Sequence, residues 1–190
     1  MRATLLSLLL LLARPAAATQ VLAMSVEETT DAAELVVRGT VEGVRTVRPD
    51  TAPGRIVTLA TVRVSATLKG HAAASTLVVT VPGGQDGRFA QVVAGAPQLS
   101  PGDEVVLFLE RVTRPDGALV VTGLAVGCWH VGPPPAAGPT HAVSRRRGLT
   151  LVQPDLAGVR APSLIPAIDV QLPLPELLSR IAGQATKGNR

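Results

Sequence analysis

The run Ile56-Val57-Thr58-Leu59-Ala60-Thr61-Val62-Arg63-Val64-Ser65-Ala66-Thr67-Leu68-Lys69 decides the fold class. Ile56, Thr58, Ala60, Val62, Val64, Ala66 and Leu68 fall on one side of an extended chain, and Val57, Leu59, Thr61, Arg63, Ser65, Thr67 and Lys69 on the other. A two-residue period with one more apolar side is the pattern of a strand with a buried face. A run this long predicts a strand that bends or serves two sheet regions, as strands of small barrels do.

Upstream, Leu35, Val37, Gly39 and Val41 alternate with Val36, Arg38, Thr40 and Glu42, which predicts a second strand with one buried face. It is preceded by Ser25-Val26-Glu27-Glu28, a capping box that predicts a short helix from Val26 to Ala33. Arg48 to Arg55, with Pro49, Asp50, Pro53 and Gly54, reads as a loop. Downstream, Gly70-His71 turns the chain, Leu77 to Val81 is a strand, and Pro82-Gly83-Gly84 ends it. Gln85 to Ser100 reads either as a long loop or as a loop holding a short strand at Phe89 to Val93. Val105 to Arg111 is a strand, Arg114-Pro115-Asp116-Gly117 a turn, and Ala118 to Val131 a last segment with bends at Gly123 and Gly127. Five strands with many turns predict a mainly β fold, a small closed or nearly closed barrel.

Outside this body, Met1-Arg2, the apolar stretch Ala3 to Ala13 and Ala16-Ala17-Ala18 have the order of an export signal. Cleavage is expected after Ala18, with Ala23 as a second site. The apolar stretch is shorter than the about 20 residues that span a bilayer, so no membrane-spanning segment is expected after cleavage. The chain is thus divided into a signal peptide (1–18), a barrel domain (19–132) and a tail (133–190). Nine of the sixteen prolines lie in that tail. Within it, Ala142-Val143-Ser144 and Leu149 to Val152 flank Arg145 to Gly148 like a short hairpin. Leu174, Leu177, Leu178 and Ile181 recur at helical spacing around Pro175, predicting a C-terminal helix whose apolar stripe either docks on its own barrel or binds a partner.

Composition limits function. Of 190 residues 46% are hydrophobic but only 2% aromatic, with no Tyr, one Trp and two Phe, which disfavours base-stacking and carbohydrate-stacking surfaces. From Met24 to Gly132 there are 9 basic and 11 acidic residues, so the net charge of +4 belongs to the leader and the tail, and a nucleic-acid-binding body is not indicated. The single Cys makes no internal disulfide, and stability rests on burial.

The segments Ala33 to Val41, Val64 to Gly70 and Pro101 to Leu109 resemble those of netrin-like modules, tissue metalloprotease inhibitors and exported bacterial proteins built on such barrels. The resemblance covers residues 25–131 and implies an OB-type barrel of five or six strands with flanking helices. Those inhibitors chelate zinc through an N-terminal Cys. No Cys lies near either expected mature N-terminus here, so the inhibitory chemistry does not carry over.

Few residues suggest chemistry. Cys128 and His130 share a strand face and are both metal-ligand types, but a structural zinc takes four ligands, and Cys128 is expected to be a buried thiol beside Trp129. Val81 to Gly87 lacks the Lys-Ser/Thr ending of a phosphate loop. Asp103-Glu104 read as solvated turn carboxylates. Arg145, Arg146 and Arg147 are candidates for an anion site, or else a solvated hairpin tip. No cofactor is implied. The expectation is an exported, periplasmic or extracellular, non-enzymatic binding module that presents Arg48 to Arg55 and Gln85 to Ser100 to a protein or cell-envelope ligand. A small hydrolase or metal enzyme using His71, Asp86 or His130, and a structural envelope protein, are the alternatives.

Overall fold

The computed structural model describes residues 19–50, 54–113, 117–133, 138–153 and 163–188. The expected export signal therefore lies outside the described residues. The chain is mainly β, with thirteen strands and two α-helices among the described residues. The strands are β1 (Thr19–Leu22), β2 (Leu35–Val47), β3 (Val57–Lys69), β4 (Thr76–Pro82), β5 (Gly84–Asp86), β6 (Phe89–Gln91), β7 (Glu104–Arg111), β8 (Leu119–Val121), β9 (Cys128–Gly132), β10 (His141–Ser144), β11 (Leu149–Gln153), β12 (Ser163–Pro166) and β13 (Val170–Pro173). The helices are α1 (Val26–Ala32) and α2 (Leu174–Lys187), and Leu124–Gly127 form a 3-10 turn.

Strands β2, β3, β4, β8 and β7 close into a five-stranded barrel, in that order, because β8 pairs with both β4 and β7. All contacts around the ring are antiparallel except β4 with β8. The long strands bend as their length requires: the β2–β3 ladder shifts register at Val36/Val37, Arg38/Gly39 and Val41/Gly43. Inside the barrel, Val37, Val41, Val62, Val79, Val105, Leu107, Leu109 and Cys128 form one core, filled almost wholly by small branched side chains.

A second core lies on the outer face of the same strands. Val36, Val106, Phe108 and Trp129 point away from the barrel interior and are covered by Val26 of α1 and by Leu174, Leu177 and Ile181 of α2. The expected face of β2, Leu35, Val37, Gly39 and Val41, is buried, and the helices bury Val36 on its other face as well, while on β7 both faces are buried from Val105 to Leu109. The two largest buried side chains, Trp129 and Phe108, occupy this outer layer.

Local sequence explains α1. Ser25 Oγ accepts from Glu28 N–H (3.1 Å), and Glu28 Oε2 accepts from Ser25 N–H (2.8 Å), so the capping box forms. Its other end has no basic residue of its own. Instead Lys69, at the end of β3, donates from Nζ to the carbonyls of Thr30 (2.6 Å), Asp31 (3.1 Å) and Ala33 (2.7 Å).

The C-terminal third differs from the expectation of a tail bearing a hairpin. β10 pairs with β9 on one side and β13 on the other, extending the barrel's sheet. β11 lies between β1 and β12 in a separate three-stranded sheet. β10 and β11 do not pair, so Arg145 to Gly148 link two sheets. The reason is hydrogen-bonding demand: β9 has one side free beyond β7, and the first available strand, β10, satisfies it. The segment read as Ala118 to Val131 is likewise split, by the 3-10 turn, into β8 and β9. Gly127 is required there, since a Cβ would stand 2.3 Å from the Thr122 carbonyl oxygen.

Candidate functional site

A cavity of about 310 Å³ opens where four segments meet. Its lining comprises Ala96, Pro97 and Gln98 from the β6–β7 connection, Ala125 from the 3-10 turn, Cys128 and His130 from β9, and Arg145 and Arg147 after β10. Ala125 N–H donates to Gly95 O (3.0 Å), fixing the β6–β7 connection against the 3-10 turn. Ser144 Oγ donates to Ala125 O (2.8 Å), fixing the end of β10 to the same turn. The walls are thus held by hydrogen bonds independent of the lining side chains.

At the inner wall Cys128 is 2% exposed, and its Sγ lies 3.7 Å from His130 Nε2. The other ring nitrogen, Nδ1, faces Asp103 Oδ2 at 3.6 Å. That carboxylate is positioned by its own turn, accepting from Ser100 N–H at 2.8 Å. Cys128, His130 and Asp103 are therefore aligned as thiol, imidazole and carboxylate. Burial, reinforced by Asp103, pushes the Cys128 thiol up to about 12. Burial, then nearby Arg145, holds the His130 imidazole below its ordinary value, with Asp103 opposing. A nucleophilic mechanism requires a thiolate, and this pocket keeps the sulfur protonated.

The aligned carboxylate is the residue that sequence reading missed. Asp103 and Glu104 are adjacent, so on entering β7 they face opposite ways: Glu104 Oε1 accepts from Arg38 Nε at 2.7 Å, and Asp103 turns to His130. They form no acid–base pair. The Ser100 to Asp103 turn was readable, but not the proximity of β9.

The three arginines do not form one face. Arg146 is buried; its Nε donates to Ser144 Oγ (3.2 Å) and its N–H to Asp169 Oδ1 (2.8 Å). Arg147 points out, with Asp169 at 3.7 Å. Arg145 is exposed at the cavity and has no ion-pair partner among the described residues. The solvated hairpin tip is thus corrected to one buried structural guanidinium between two outward ones, the alternation that extended backbone imposes.

The remaining candidates are scattered. His71 is exposed in the turn after β3, and Asp86 is paired with Arg48 (2.7 Å). His141 sits opposite Gly132 and Pro173. Among the described residues no three His, Cys, Asp or Glu side chains are grouped to hold a metal ion. Of the two expected loops, Gln85 to Ser100 contains the β5–β6 hairpin and borders this cavity and a second one of about 420 Å³. Residues 51–53 of the other loop lie outside the described residues, but Arg48 reaches the hairpin, with its guanidinium 4.7 Å from the Phe89 ring centre. Among the described residues no helix is long and apolar enough to cross a membrane.

No family model matches the chain, and no curated protein matches it.

Proposed function

We propose that the protein is an exported, non-enzymatic binding module on an OB-like barrel, and that the cavity beneath Ala96 to Gln98 receives an anionic group of a protein or cell-envelope ligand. The observation that carries this reading is Arg145, a guanidinium at the cavity with no ion-pair partner among the described residues. Unpaired cations beside a preformed cleft attract anions, and a volume of about 310 Å³ is within the range of small-ligand sites. The closure order β2-β3-β4-β8-β7, with its one parallel contact, supports the OB-like arrangement. Export is supported by the order of residues in the leader. Cleavage after Ala18 is preferred over Ala23, because the latter removes β1, whose four residues pair along β11.

Retention on a heparin-type polyanion resin at physiological salt tests the site. Arg145→Ala is expected to elute earlier than wild type, and equal elution overturns the reading. Arg146 is left intact in this test because its burial makes its removal a folding perturbation.

A further inference from the structure

His130 shares the cavity wall with Arg145, and its ring has a group on either side: Asp103 Oδ2 lies 3.6 Å from Nδ1, and Cys128 Sγ lies 3.7 Å from Nε2. Resting on the anion site proposed above, we infer that this site is proton-coupled: His130 takes up a proton when an anion binds at Arg145, so that acidification tightens the anion's hold.

The groups around the ring set its charge. Its strand partners, Val105 of β7 and Val143 of β10, are neutral. The titratable and charged groups that face it among the described residues are Cys128 on its own strand, Asp103 at the entry to β7 and Arg145 after β10. Arg147 also borders the cavity, but it is exposed and has Asp169 at 3.7 Å. Burial first, then Arg145, hold the imidazole below its ordinary value against the pull of Asp103. An anion paired with Arg145 cancels the one repulsion in this set and adds an attraction of its own. Asp103 goes on attracting, and Cys128, pushed up to about 12, stays a thiol throughout.

Both protonation states of the ring find partners. The Asp103 carboxylate favours the neutral tautomer with its proton on Nδ1, which leaves Nε2 to accept from the Cys128 thiol. Once charged, the ring presents Nε2–H to the sulfur, a weak acceptor, and keeps Nδ1–H toward the carboxylate, which Ser100 N–H holds in place at 2.8 Å. The proton comes from solvent through the cavity, and no bond in the anion or to the sulfur changes. Proton and anion favour each other's binding by the same factor, because the two equilibria are linked. Anion affinity therefore climbs as pH falls through the imidazole's anion-bound value, and it levels off below the anion-free one.

The test is calorimetric titration of the full chain with a short heparin oligosaccharide, whose acidic groups keep their charge from about pH 8 to about pH 5. Wild-type affinity is expected to rise about 5-fold or more as pH falls across that range. Titration in two buffers of different ionisation heat is expected to show net proton uptake on binding. His130→Gln, neutral throughout, is expected to lose both the pH dependence and the uptake. Asp103→Asn, which leaves the ring and Arg145 in place, is expected to move the rise to lower pH. Wild-type affinity independent of pH, binding without proton uptake, or a pH dependence kept by His130→Gln overturns the coupling and leaves the anion site standing. No binding by wild type at any pH overturns both. If His130→Gln does not fold, the imidazole proton resonances of wild type decide: a His130 titration midpoint that rises on saturation with the oligosaccharide sustains the coupling, and an unmoved one ends it.

Discussion

Glu27 of α1 and Arg180 of α2 meet in a two-pronged pair across 153 residues, with Nε to Oε1 and Nη2 to Oε2 both at 2.7 Å. The bidentate geometry clips the two helices together over the outer core. It also sets a pH dependence. The Arg180 hydrogen bonds hold the Glu27 carboxyl down to about 2. A carboxyl lowered in the folded state stabilises above its unfolded value and loses that contribution as pH falls toward the folded one. Both side chains are more than a third exposed, so solvent screening limits the pair to about 1 kcal/mol. Urea unfolding of wild type and Glu27→Gln is expected to show that gap at pH 7 and its shrinkage between about pH 4.5 and pH 2. A gap independent of pH counts against the pair.

Removal of the side chain at the centre of α2 is expected to cost far more. Leu177 is fully buried against the barrel's outer face, and Leu177→Ala is expected to lose about 2–4 kcal/mol in urea unfolding. A loss below about 0.5 kcal/mol would mean that the C-terminal helix does not belong to the folded body.

Lys69 substitutes for a missing helix-terminal cation. Lys69→Met keeps most of the aliphatic stem and removes three donated hydrogen bonds to the end of α1, with an expected cost of about 1 kcal/mol. Amide exchange should locate the effect at residues 29–33, and uniform change across the barrel would contradict it.

Cys128 should be silent in the native protein. With the thiol buried and pushed up to about 12, a disulfide reagent at pH 8 is expected to react slowly until guanidinium unfolds the chain, then once per molecule. Since the thiol's folded value is raised, stability is expected to decline as pH rises from about 9 toward 12. Rapid native labelling would refute the burial.

Gly127 precedes that thiol and cannot carry a side chain without displacing the Thr122 carbonyl. Gly127→Ala is expected to cost about 1–3 kcal/mol and to speed thiol labelling, because the 3-10 turn and the start of β9 must shift together. Wild-type stability would show that the turn yields freely.

Several parts of this molecule were legible one residue at a time. The Ser25–Glu28 box, the alternation of Ile56 to Lys69 and the stripe Leu174, Leu177 and Ile181 each encode a local period or cap, and local backbone geometry suffices to read them. What periodicity leaves open is which neighbour each strand finds. Arg145 to Gly148 read as a hairpin turn because their flanks alternate, but the free edge of β9 captured β10 and sent β11 to another sheet. Phe108 and Trp129 fall on segments that were readable as strands, but only the docking of α1 and α2 decided that these two side chains pack in a core outside the barrel.

The site divides in the same way. Sequence alone put Cys128 and His130 on one face, because two residues along a strand return to the same side. The tertiary structure decided the rest: Asp103 stands behind His130 because β7 pairs with β9, and Arg145 lies at the cavity while Arg146 is buried, because β10 ends against the 3-10 turn. These are contacts between segments distant in sequence, and no local period carries them.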